Sequence, residues 1–93
     1  MAETDVRRAG SDGGRSRFEV TVQEGDSSTR HEVTLTVDDF KRFGGSARSL
    51  EELIQRSFEF LLDREPKESI LRSFELSEIG RYFPDFEETM AGM

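Results

Sequence analysis

Two stretches of the chain alternate apolar and polar residues with a period of two. Phe18, Val20 and Val22 interleave with Glu19, Thr21 and Gln23, and Val33, Leu35 and Val37 interleave with Glu32, Thr34 and Thr36. Successive side chains of a strand point to opposite faces, so each stretch predicts a strand with one face buried. Placing Val20 opposite Leu35 sets Phe18 against Val37 and Val22 against Val33, and gathers these apolar side chains on one face of an antiparallel hairpin. Ser27 and Ser28 lie at the centre of that register. Serine is poor at the positive φ angles of a two-residue turn, so a loop of about four to six residues within residues 25–30 is predicted.

Beyond Thr36 the period lengthens. Asp38 or Val37 opens a short helical turn over residues 39–43, which Gly44 is expected to stop in the left-handed conformation. After a link over residues 44–48, Ser49 and Glu52 have the spacing of a capping box, in which hydroxyl and carboxylate satisfy backbone N–H groups left free at a helix start. Leu50, Leu53, Ile54, Phe58, Phe60, Leu61 and Leu62 then occupy an arc of roughly 200° on a helix running from Leu50 to about Arg64. One hairpin is too narrow to cover that arc. Pro66 is placed to begin a second helix over residues 66–74, with Ile70, Leu71 and Phe74 on one edge. Ser77 is the expected N-cap of a third, carrying Ile79, Tyr82 and Phe83 and ended by Pro84. Phe86 and Met90 extend an apolar face through an acidic terminus.

Residues 1–16 fit neither period and predict a disordered tail. The expected fold is therefore α+β: a two-stranded antiparallel β-hairpin packed on one long helix and two or three short helices. It would form a single domain over residues 17–90, with a frayed end at 91–93.

Composition narrows the functions open to such a domain. At 93 residues the chain is of one-domain size, and a core this small hides only about 60% of the unfolded surface, too little for a large catalytic cleft. Twenty acidic residues against 13 basic ones leave a net charge of -7, all of it outside the neutral first 16 residues. With no cysteine and one histidine, disulfide frameworks, Cys/His zinc sites and thiol catalysis are excluded. No apolar run approaches the ~18 residues of a membrane span, and the start has no apolar signal core, so a soluble, cytoplasmic protein is expected.

Few residues carry candidate chemistry. His31 is the acid–base candidate by pKa class, but no motif supplies a nucleophile or an orienting acid, and an exposed loop histidine is the expectation. The acidic clusters, such as Asp63/Glu65/Glu68 and Asp85/Glu87/Glu88, lack the ligand spacing of a calcium loop and read as solvated surface. Gly44, Gly45 and Ser46 before Arg48 and Ser49 could surround an anion, yet the Ser49/Glu52 cap already uses the free N–H groups. Residues 68–83 have the cadence of a helix-turn-helix, but the acids after Pro84 oppose phosphate. The aromatic residues are mostly needed for the core. Those of the long helix and the C-terminal segment either leave an apolar patch or fold back as a latch.

The stretch over residues 58–87, FEFLLDREPKESILRSFELSEIGRYFPDFE, is most distinctive at Glu65-Pro66-Lys67-Glu68-Ser69-Ile70-Leu71-Arg72. It resembles a family of small bacterial proteins that end in an ESILRSF…RYFP signature. The resemblance spans residues 17–89 and implies no activity, ligand or residue role. The expected function is a non-enzymatic protein–protein interaction or accessory module without cofactor or metal. Phe60, Leu62, Tyr82, Phe83 and Phe86 would be the apolar anchors for a partner with a basic rim. Strand pairing into a homodimer is a further expectation, because a lone hairpin has open edges. The alternative is a nucleic-acid-binding regulator using a degenerate helix-turn-helix around 68–83.

Overall fold

Two tight glycine turns organise the first third of the chain. Gly13 and Gly14, at φ 54° and 83°, link strand β1 (Glu3–Asp12) to strand β2 (Arg15–Glu24). Two successive positive φ angles define the hairpin turn whose twist matches the flanking strands. Gly25, at φ 61°, is followed by Asp26 at a negative φ, and this second two-residue turn links β2 to strand β3 (Ser27–Thr36). The computed structural model describes residues 2–92, and its sheet has the order β1-β2-β3-β4, with β4 (Ser73–Glu75) parallel to β3.

This four-stranded mixed sheet replaces the predicted two-stranded hairpin; only the α+β class stands. Residues 3–12, expected to be a disordered tail, form β1. Thr4, Val6 and Arg8 lie opposite Val22, Val20 and Phe18, which extends the inner face of the sheet. Ala9 is an extra residue between Arg8 and Gly10, a bulge that interrupts the ladder.

The predicted alternation holds, but its register does not. Phe18 pairs with Val33, Val20 with His31 and Val22 with Thr29, while Leu35 pairs with Ser16. The displacement is by an even number of residues, so Phe18, Val20, Val22, Val33 and Leu35 keep their shared face. Val37, the sixth predicted member, lies beyond the end of β3 in the helix that follows and is 55% exposed. Its cause is the Gly25-Asp26 turn, which is shorter than the predicted loop and lets the ladder begin at Glu24 and Ser27.

Helix α1 (Val37–Phe43) starts at Thr36, whose hydroxyl accepts from the Asp39 N–H. It does not end on a left-handed Gly44, which is right-handed; Gly45 takes the positive φ of 52°. A Cβ on Gly45 would also lie 2.6 Å from the Met90 carbonyl oxygen. Helix α2 (Leu50–Leu62) starts at the predicted N-cap, where the Glu52 N–H donates to Ser49 Oγ, but the Glu52 carboxylate accepts from the Arg48 N–H, one residue before the position a capping box uses. Leu53, Ile54 and Phe58 are buried, together with Phe18, Val20, Val22, Val33 and Leu35 of the sheet, in one hydrophobic core.

The predicted helix over 66–74 does not form. Pro66 and Ile70 have extended backbone on either side of a single 3-10 turn (Lys67–Ser69). The open edge of β3 wins the next residues: the Glu32 N–H donates to the Arg72 carbonyl, and β4 adds to the sheet with Phe74 buried against the core. A 3-10 turn (Leu76–Glu78), started by a Glu75/Glu78 capping box and not by Ser77, leads into the short helix α3 (Ile79–Tyr82). The last helix, α4 (Phe86–Ala91), folds back onto α1 and α2. The Phe86 ring lies 5.2 Å from that of Phe43 and 5.1 Å from that of Phe60. The expectation of a frayed 91–93 meets α4 at Ala91, and Met93 lies outside the described residues.

Candidate functional site

β4 and the turns around it meet the C-terminal end of α2 in a concave surface. A hollow of about 330 Å³ opens there, bounded by the end of α2, residues 69–74 and α3. Its buried apolar wall comes from Leu61, Ile70, Phe74 and Ile79. Its outer margin carries Leu71 and Tyr82, which are 47% and 66% exposed, and the half-buried Phe83. Side chains of this size left that open in a chain this small form an apolar patch with no internal cause.

Two half-buried carboxylates line the same hollow. Glu78 gives one oxygen to the Glu75 N–H at 2.7 Å, and neither Glu65 nor Glu78 joins an ion pair among the described residues. The surface thus offers apolar anchorage with negative charge beside it.

The hollow is held in place by His31. The sequence reading made this an exposed loop residue, whereas its side chain is buried on the inner face of β3 at 3% exposure. A carbonyl can only accept, so Nδ1 carries a proton and donates to the Leu71 oxygen at 2.7 Å, while Nε2 lies 2.8 Å from the Thr29 hydroxyl. The ring also packs at 5.4 Å, tilted by 54°, against Phe58 of α2. One side chain thereby fixes the backbone beneath Leu71 to the sheet and to α2. The signal for this was present in the sequence, since His31 is in phase with Val33 and Leu35.

Lys67 is the second buried polar residue that sequence reasoning missed. Its side chain is 3% exposed, and Nζ lies 2.6 Å from Glu68 and 3.8 Å from Glu24. The hydrogen bond from Lys67, helped by the backbone N–H of Glu68 and the Lys67 charge and opposed by slight burial, holds the Glu68 carboxyl below its ordinary 4.5. The pair ties the 3-10 turn to the end of β2.

The five predicted anchors divide between core and surface. Phe60 and Phe86 are buried, and Arg64 lies 3.6 Å over the Phe60 ring while its guanidinium binds Asp85 at 2.6 Å. These two phenylalanines are the latch of the open alternative, because they join α4 to α2. Leu62 is half-buried on another side, near Thr4 and Glu59. Tyr82 and Phe83 line the hollow, and Leu71 joins them there unpredicted. At the Gly44–Ser49 link the Arg48 N–H donates to the Glu52 carboxylate and the Glu52 N–H to Ser49 Oγ, and Arg56 adds bonds to Glu52 and to Ser46 Oγ. Residues 68–83 lack the first helix of a helix-turn-helix. No group of three or more acidic or histidine side chains comes together as a metal site among the described residues. No helix there is long and apolar enough to cross a membrane.

A scan against models of protein families finds no match, and neither the curated proteins nor the solved structures contain one. The resemblance of residues 58–87 therefore adds no role to any of these side chains.

Proposed function

We propose that the protein is a non-enzymatic interaction module. It receives an apolar side chain of a partner protein in the hollow between α2, β4 and α3, and a basic residue of that partner lies beside Glu65 and Glu78. The observation that carries this reading is the exposure of Leu71 and Tyr82 on one apolar hollow with two carboxylates that join no ion pair among the described residues. Large apolar side chains in a concave site supply binding energy, and charge at the rim supplies orientation and on-rate. The net charge of -7 favours a cationic partner in the same sense.

Selection from a random peptide display library tests the proposal without a known partner. Enriched peptides are expected to carry a leucine or aromatic residue next to Lys or Arg. Their binding should fall at least about tenfold in Leu71→Asp and in Tyr82→Ala, the loss of one anchoring contact. No enrichment, or binding indifferent to both substitutions, rejects the proposal.

A further inference from the structure

The outer edge of β1 is open, since the sheet order begins with that strand. Which backbone groups face outward follows from the turn. The pair that closes a two-residue hairpin is hydrogen-bonded, and hydrogen-bonded and non-hydrogen-bonded pairs then alternate. From Asp12↔Arg15 this alternation makes Arg17, Glu19, Thr21 and Gln23 the β2 residues bonded to β1. Their partners beyond the bulge, Arg7, Asp5 and Glu3, therefore spend their N–H and C=O groups inward. Thr4, Val6 and Arg8 point theirs into open space.

Edge strands are commonly guarded by charges of one sign, which repel a second copy. Here Asp5 and Arg7 flank Val6 with opposite signs, and both are exposed on the polar face, where within one copy they pair with each other at 3.0 Å. We infer that β1 pairs antiparallel with β1 of a second copy of this chain, about a twofold axis through Val6. In that register the outward groups meet outward groups: Val6 faces Val6 of the second copy, and Thr4 faces its Arg8. About six backbone hydrogen bonds form, two for each bonded pair. Asp5 lies opposite Arg7 of the second copy, and Arg7 opposite its Asp5, at the closer non-hydrogen-bonded positions.

Neighbouring registers allowed by the same backbone set Asp5 on Asp5 (with Glu3 on Arg7), Arg7 on Arg7, or Asp5 on Glu3, so each contains a like-charge pair that the Val6 register lacks. Charge therefore selects one register. The inner face agrees. Thr4 lines a hollow with Gln55, Glu59 and Asp63 at the α2 surface, so Arg8 of the second copy, placed opposite Thr4, extends along those acids. The half-buried Leu62 lies in the same hollow and is covered by that side chain. The bulge at Ala9 ends the ladder and confines pairing to residues 3–8.

Sedimentation velocity on the full chain and on charge variants tests the inference. The wild-type mass should double with concentration. Asp5→Arg and Arg7→Asp should each be monomeric, because one sets Arg against Arg and the other Asp against Asp. An equimolar mixture of the two variants should recover the dimer, since every cross-copy pair is then opposite in sign. Both positions are exposed, and circular dichroism of each variant should match the wild type. Amide exchange at Thr4, Val6 and Arg8 should slow on dimerisation while that at Asp5 and Arg7 stays unchanged. A wild type that is monomeric throughout, a dimer that survives either single variant, or a mixture that fails to associate overturns it. So does protection of the Thr4, Val6 and Arg8 amides in a monomer, which would assign the edge to another strand.

Discussion

His31 touches three parts of the fold through one ring: Thr29 of its own strand, the Leu71 carbonyl and Phe58 of α2. Replacing it with alanine removes both hydrogen bonds and leaves a cavity, so His31→Ala should lower stability by about 2 kcal/mol or more in urea unfolding. A change under about 0.5 kcal/mol would mean that the ring is not packed as described. The aromatic residues divide in the same way. Phe86 is fully buried, and Phe86→Ala should cost about 3–5 kcal/mol. Tyr82→Ala, at an exposed site, should stay within about 0.5 kcal/mol while it weakens binding. Glu68 gives a dependence on pH whose sign is fixed. Its carboxyl is held below the ordinary 4.5 by Lys67, so its contribution is present above that value and is lost as pH falls through the depressed one. Glu68→Gln should remove that part of the acid-limb slope in unfolding curves measured from pH 6 downward. The carboxylate is 61% exposed, and solvent screening keeps the effect small.

At the scale of elements, β1 makes the sharpest prediction. A disordered tail could be removed without effect, whereas β1 covers β2 and carries the half-buried Val6. Deleting residues 1–12 should lower the urea midpoint and speed amide exchange at Arg17, Glu19 and Thr21. An unchanged midpoint would return these residues to a tail. The turns can be probed singly. Gly14 has φ 83° with nothing near a built Cβ, so Gly14→Ala should cost about 1–2 kcal/mol from backbone strain alone. Gly80 lies inside α3 in open space, and Gly80→Ala should stabilise by about 0.5–1 kcal/mol in the same unfolding assay.

These elements also show what could be read from the chain. The period-two runs, the Ser49/Glu52 cap and the apolar arc of α2 were legible because each is a local pattern. The two turns also carried a local signal, since Gly13-Gly14 and Gly25-Asp26 have the chemistry of two-residue hairpins, yet the first fell in the predicted tail and the second in the predicted longer loop around Ser27-Ser28. β1 was hidden because Thr4, Val6 and Arg8 present one aliphatic side chain between two polar ones, too little alternation to register. β4 was hidden for another reason. Ile70 and Phe74 have helical spacing, and only the vacant edge of β3, a tertiary fact, turns their segment into a strand. The hollow follows from β4 and was unreadable with it, although Tyr82 and Phe83 were already in view.

Across the whole molecule, charge and apolar surface are placed separately. The outer face of the sheet is mixed in sign, with Glu3, Asp5, Arg7, Glu19 and Arg30 bordering one hollow, and it presents no apolar anchor. The apolar opening lies at the far end of the sheet beyond β4, where Leu71, Tyr82 and Phe83 meet Glu65 and Glu78. The β1 edge and this hollow are on opposite sides of the strand order, so self-association at one leaves the other available. The most direct test is an amide NMR titration of the labelled protein with a display-selected peptide carrying a leucine beside arginine. Saturable shifts should concentrate at residues 61–65, 69–74 and 78–83 and vanish in Leu71→Asp. Shifts on the outer sheet residues instead, or none while the selected peptide still binds, would contradict the account.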